Sequence, residues 1–187
     1  MYNLLKCYTN YTRYSLVLSL MLIYPCYIQA QQSIPYCDNF NGATLWTVTT
    51  ISGSAWQQGS PAYGLTNSTH TPPNCFDVEL FAAYQPSTET YLVSPSFNFS
   101  SVPNAKLSFW QNRNTEAGWD GTRLEYSTDN GITWTILGTI ADPNASNWYS
   151  AGLINSSGFP AWDGTSGGWI KSTYNVNFLN GFASVTF

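Results

Sequence analysis

The chain has 187 residues, is 17% aromatic and only 9% charged, and carries six basic against ten acidic side chains for a net charge of −4. It is too aromatic for a disordered chain, and an acidic surface repels phosphate backbones, so nucleic acid is excluded as the expected partner. The length suits one domain with a buried core.

The first thirty residues differ from the rest. Lys6 and Arg13 precede the apolar run "YSLVLSLMLIYPCYIQA", which ends in the small residue Ala30 and is followed by "QQ". This predicts a secretory signal peptide over residues 1–30, a single module over 31–187, and a secreted, extracellular or cell-surface protein with no membrane span after cleavage. An uncleaved anchor is the alternative, at the short edge of the roughly 17 to 25 residues a span needs, and Pro25 and Gln29 weaken it. Lipidation of Cys26 is disfavoured by Pro25, which stands where a small residue is wanted. Removing Lys6 and Arg13 leaves four basic residues against ten acidic ones, a net charge of −6. Cys37 and Cys75 remain, and in an exported chain they have only each other as disulfide partners, a bond that would contribute about 3 to 4 kcal/mol. The alternative is a pair of buried free thiols.

After residue 30, strand signals recur at short spacing between Gly, Pro, Asn and Ser: "LWTVTTIS", "ELFAAY", "TYLVSPSFNF", "AKLSFWQNR", "TRLEYST", "TWTILGTI", "GWIKSTYNV" and "ASVTF". Leu107, Phe109 and Gln111 alternate with Lys106, Ser108 and Trp110, and Leu124 and Tyr126 with Arg123 and Glu125, as in strands with one buried face. No segment keeps a 3.6-residue apolar period, so the fold class is all-β, an antiparallel β-sandwich with little helix beyond the signal segment. The long stretch "ADPNASNWYSAGLINSSGFPAWDGTSGGW" reads as a functional loop.

The stretch "STDNGITW" fits S-x-D-x-G-x-T-W through Ser127, Asp129, Gly131, Thr133 and Trp134, and so resembles the Asp-box of sialidases. Its physical content is a hairpin turn in which Asp129, Asn130 and Gly131 supply positive backbone angles over Trp134. It occurs once, and the roughly 40 to 50 residues of a propeller blade do not fit repeatedly into this chain, so the motif is structural and the chain is not a sialidase propeller.

"YCDNFNG", "WQQGSP", "YLVSPSFNFSSVPNAKLSFWQNRN", "WDGTRLEYSTDNGITWTILG", "NWYSAG" and "PAWDGTSGGW" follow one another in an order that resembles MAM and concanavalin A-like jelly-roll modules of secreted bacterial proteins, often exported by type IX secretion. Leu45 and Ala105 stand where MAM domains place cysteines, and Asn41 stands where their opening has Glu, which marks a remote bacterial relative. The resemblance implies a jelly roll working as a non-catalytic binding or adhesion module for a glycan or surface protein, at the N-terminus of a larger protein with downstream domains. The alternatives are an accessory domain for a downstream peptidase or glycoside hydrolase, and a spacer. Family members continue beyond the strand that "ASVTF" begins, so the module is expected to lack its last strand or strands and to expose a hydrophobic edge. Calcium is the expected ion, since jelly rolls pin termini and loops with oxygen ligands, and Asp38, Asp77 and Asn41 are the candidates.

Catalysis is not expected. His70 is the only histidine and sits in the proline-flanked loop "NSTHTPPNC". Asp77 with Glu79, and the series Glu116, Asp120, Glu125, are the densest carboxylates, but Asp120-Gly121 is a turn dipeptide and Glu125 faces out beside Arg123. Trp46, Trp110 and Trp134 fall in strand patterns and are expected in the core. Trp119, Trp148, Tyr149, Trp162 and Trp169 lie in or beside loops, where exposed rings would stack on a sugar while Asp163 or Asn147 reads its hydroxyls. The alternative is that the long loop folds back and buries them.

Overall fold

The computed structural model describes residues 31–187. The expected signal peptide, the anchor alternative and Cys26 therefore lie outside the described residues. The described chain is built of strands: β1 (Thr47–Ser52), β2 (Trp56–Gly59), β3 (Cys75–Val78), β4 (Glu89–Val93), β5 (Lys106–Gln111), β6 (Gly121–Thr122), β7 (Glu125–Tyr126), β8 (Thr135–Ile136), β9 (Ala145–Ser146), β10 (Trp162–Asp163) and β11 (Ile170–Asn175). Two short 3-10 turns, Gly64–Thr66 and Asn177–Leu179, are the helical elements among them. The all-β class is as expected, and no described helix is long and apolar enough to cross a membrane.

Every ladder between these strands is antiparallel. β1 runs along β4 from Thr47 opposite Val93 to Thr50 opposite Thr90, then a one-residue bulge sets Ser52 opposite Glu89. β2 pairs with β3, Trp56 opposite Val78 and Gly59 opposite Cys75. β11 is flanked by β5 and by the short β9. β6 pairs with β10, and β7 with β8.

β5 shows the expected alternation, with Leu107, Phe109 and Gln111 turned inward and Lys106, Ser108 and Trp110 exposed. Leu107 and Phe109 pack on the core from β5, Leu124, Tyr126 and Ile136 from the β7–β8 region. They pack against a cluster that includes Phe97, Phe99, Leu137, Tyr174, Val176, Leu179 and Val185. The centre is aromatic. Trp148 sits with its ring centre 4.8 Å from both Trp162 and Tyr174 and 6.0 Å from Phe109, in tilted and edge-on contacts. Each polar tip has a backbone acceptor: Trp148 Nε1–H donates to Leu137 O (2.9 Å), Trp162 Nε1–H to Asn147 O (3.2 Å) and Tyr149 O–H to Leu124 O (3.0 Å). Such rings bury large apolar area without leaving an orphaned donor. Gly138 makes the arrangement possible: it has φ +80°, and a Cβ there would lie 2.5 Å from Tyr174 Cε2 and 2.8 Å from Trp148 Nε1.

The last segment departs from expectation. Instead of an exposed edge, Val185 is 0% exposed and exchanges both backbone bonds with Phe97, while Thr186 does the same with Ser127 on the other side. Ser94 N–H adds a bond to Phe187 O at 2.9 Å. β1, by contrast, is exposed along all six of its residues.

Two other differences have local causes. "ELFAAY" forms no strand, because Glu79 has φ +69° and the buried Leu80 spends its N–H on Gln57 Oε1 and its carbonyl on Ala62 N–H. The β2–β3 pair lies outside the expected strands, its "WQQG" being too polar and short to show a period.

Candidate functional site

The Asp-box turn forms, with positive backbone angles at Asn130 and Gly131 but not at Asp129 as expected, and its chemistry is internal. Asn130 and Gly131 take φ +61° and +82°. Asp129 Oδ1 accepts the N–H groups of Ile132 (3.1 Å) and Thr133 (2.9 Å), Oδ2 accepts the Thr133 hydroxyl (2.6 Å), and Ser127 Oγ–H donates to Oδ1 (2.7 Å). Trp134 closes the turn by donating Nε1–H to Gly131 O at 3.1 Å. With so many donors converging on it, led by the Thr133 hydroxyl, the Asp129 carboxyl is held down at about 2. Trp134 is nevertheless exposed: it covers its own turn and is not core.

Asp38, Asn41 and Asp77 each have partners within the protein. Asp38 accepts the Tyr36 hydroxyl (2.9 Å) and Phe40 N–H (2.8 Å). Asn41 ties two segments together, donating to Pro72 O (3.0 Å) and accepting from Asn74 N–H (3.1 Å). Asp77 is half-buried in β3, where burial pushes its carboxyl up to about 6 against the weaker pull of Val78 N–H and Thr66. Among the described residues no group of three His, Cys, Asp or Glu is placed to hold a metal ion.

The expected disulfide does not form: both thiols are free, Cys37 exposed and Cys75 half-buried in β3. The Asn41 clamp and the edge-on contact of Phe40 with Phe76 (5.1 Å) join these segments instead. Burial, with Asp77 nearby, pushes the Cys75 thiol up to about 11.

Three of the rings expected to meet a ligand are core. Trp148, Tyr149 and Trp162 are 8%, 4% and 3% exposed, so none offers a face to a sugar. The long loop folds back because β9 pairs with β11 and β10 with β6, which carries its aromatics inward. Asp163 is a tie within this fold: Ser150 O–H donates to Oδ1 (2.5 Å) and Gly118 N–H to Oδ2 (2.8 Å). These bonds, the Ser150 hydroxyl first, hold its carboxyl below the usual carboxylate range, and nearby Arg113 adds a small further pull. Trp169 is half-buried, its ring edge-on to His70 at 5.9 Å.

His70 lies flat on Trp110, ring centres 3.9 Å apart and 18° between planes, with Thr71 Oγ1 3.1 Å from its Nδ1. Trp110 is 44% exposed on the outer face of β5, so it too is not core; Trp46 is half-buried against Phe40. This pairing of a loop ring with a strand ring had no signal in the sequence.

Trp119 alone among the expected ring residues is well exposed, at 54%. Its turn is held from three sides. Trp119 and Asp120 donate their N–H groups to Glu116 O, Tyr84 O–H donates to Asp120 Oδ2 (2.8 Å), and Gly118 is held by Asp163. The adjoining loop is a small hairpin in which Ala151 bridges Ala161 and Ile154 N–H donates to Phe159 O. It is stitched to the Trp119 turn by Asn155 N–H to Gly118 O (2.8 Å) and by the Ser156 hydroxyl to Trp119 O. Leu153 and Phe159 stand exposed on this hairpin at 73% and 46%, and the Arg123 guanidinium lies 4.8 Å over the Phe159 ring. Leu153 and Phe159 carried little signal in the sequence beyond the placing of Phe159 between Gly158 and Pro160, at a loop tip.

No protein-family model, curated protein or solved structure matches this chain.

Proposed function

We propose that the chain is a non-catalytic, extracellular binding module that takes a glycan on the Trp119 rim. The observation that carries this reading is an indole more than half exposed on a turn fixed by hydrogen bonds, beside the exposed Leu153 and Phe159. An aromatic face held in advance costs little entropy on binding, and the side chains of Glu116, Asn155 and Ser156 supply polar groups on the same two loops. The wider frame remains the jelly-roll β-sandwich of a MAM-like or concanavalin A-like module in a larger secreted or surface protein. One aromatic core to which residues of β5, β11 and the β7–β8 region contribute, together with Val185, supports it.

Depletion from solution by insoluble cellulose, chitin and xylan tests the reading. At least one should retain the protein, and Trp119→Ala should abolish retention while the far-ultraviolet spectrum stays unchanged. Equal retention of the variant would remove Trp119 from the site.

A further inference from the structure

The hairpin stitched to the Trp119 turn gives a cation two partners. The Arg123 guanidinium lies 4.8 Å over the exposed Phe159 ring, and its Nε–H donates to Glu125 Oε1 at 2.6 Å. An aromatic quadrupole and a carboxylate thus attract the same charge. The Trp119 turn carries two of these three parts. Trp119 and Asp120 donate their N–H groups to Glu116 O, at 3.1 and 2.9 Å, which closes the turn and brings the Glu116 and Trp119 Cα atoms within about 7 Å. Both side chains are exposed. The ring is an indole, the side chain that attracts a cation best. The other carboxylates bonded to this turn are engaged, Asp120 by the Tyr84 hydroxyl and Asp163 by Gly118 N–H and the Ser150 hydroxyl. Among the described residues the Glu116 side chain enters no hydrogen bond and no ion pair.

We infer that Trp119 and Glu116 together select a cationic amino sugar, so that the glycan of this rim is a polymer of glucosamine units with free amines. The inference rests on the glycan reading above and adds to it a selection by charge. The indole stacks on the C–H face of the sugar ring, while its quadrupole and the Glu116 carboxylate both attract the protonated amine. A neutral sugar gains the stacking alone. A uronic acid meets Glu116 as a like charge and is disfavoured. The exposed Asn155, whose N–H bonds Gly118 O, offers a side-chain amide to the sugar hydroxyls, which a lysine side chain of a protein ligand lacks.

Calorimetric titration of the full chain with chitosan oligosaccharide and with its fully N-acetylated counterpart tests this, in low-salt buffer at about pH 5.5 where amines are protonated and carboxylates ionised. The amine form should bind on the order of ten-fold tighter. Glu116→Gln should bring the two forms within about two-fold of each other, and Trp119→Ala should lose both. Glu116 supports the turn through its backbone carbonyl, so the Gln variant should melt with the unaltered chain. Glu89→Gln removes a charge from β4 instead and should keep the preference. An equal loss in that variant would show that net negative charge alone attracts the oligomer, and the inference would fall. Equal affinity of the unaltered chain for both forms overturns the charge selection and leaves the glycan site standing, whereas unchanged binding of both by Trp119→Ala removes the site itself. Binding of neither form, or of a lysine oligopeptide in place of the amine form, also overturns the inference.

Discussion

Asp77→Asn is expected to stabilise the protein, and to do so in a pH-dependent way. In the folded chain burial raises the Asp77 carboxyl from 3.8 to about 6, so the folded state holds its proton more tightly than the unfolded state does. Between those two values the folded protein binds more protons, and its stability therefore falls as pH rises, with the full penalty present above about pH 6. Two pH units correspond to about 3 kcal/mol, and because the side chain is only half-buried, solvent screening reduces the penalty to about 1–2 kcal/mol. Asn keeps an oxygen for Val78 N–H, 2.8 Å from Asp77 Oδ1, and carries no charge to bury. Thermal melts of both proteins at pH 8 should place the variant higher by about 3 to 6 °C, with the difference closing by about pH 3.5. A variant that melts lower at pH 8 would refute the reasoning, because it would mean that the carboxylate is favourably engaged. Calcium chloride in both samples extends the test: a rise in melting temperature for the unaltered chain alone would make Asp77 a cation ligand after all.

Other outcomes follow from the same geometry. Trp148→Ala should cost about 3–5 kcal/mol by emptying the centre of the core, measured by urea unfolding. Gly138→Ala should cost about 1–3 kcal/mol by pushing against Tyr174 and Trp148 from a left-handed backbone position, measured in the same assay. Asp129→Asn should lower the melting temperature above about pH 4, the unfolded value of a carboxyl, and the gap should close as pH falls toward 2, where the native carboxyl gains its proton. Of the two described thiols, Cys37 should react quickly with a thiol reagent and Cys75 slowly, since the latter is half-buried and its thiolate is disfavoured.

What the sequence made legible was whatever is decided within a few residues. The Asp-box turn is one case, because Ser127, Asp129 and Thr133 bond to one another and to their own backbone. The alternation in β5 is another, because a two-residue period needs no knowledge of the partner strand. Trp110 shows the limit: its parity placed it with Lys106 and Ser108 on the wet face, while its apolar character argued for the core, and parity prevailed. The loop aromatics failed for a different reason. Strands of two residues, such as β9 and β10, have no period to read, yet they fold residues 141–169 back and send Trp148 and Trp162 inward. The exposure of Leu153 and Phe159 depends on long-range stitching to Gly118 and Trp119, which local patterns do not encode.

The most direct test of the binding account is tryptophan emission of the unaltered chain and of Trp119→Ala, titrated with a soluble form of the polysaccharide that retains the protein. The account predicts a saturable spectral shift in the unaltered chain that vanishes in the variant, with melting temperatures equal within about 2 °C because the ring is exposed. A shift of the same size and midpoint in both proteins would contradict it and move the site away from the Trp119 rim.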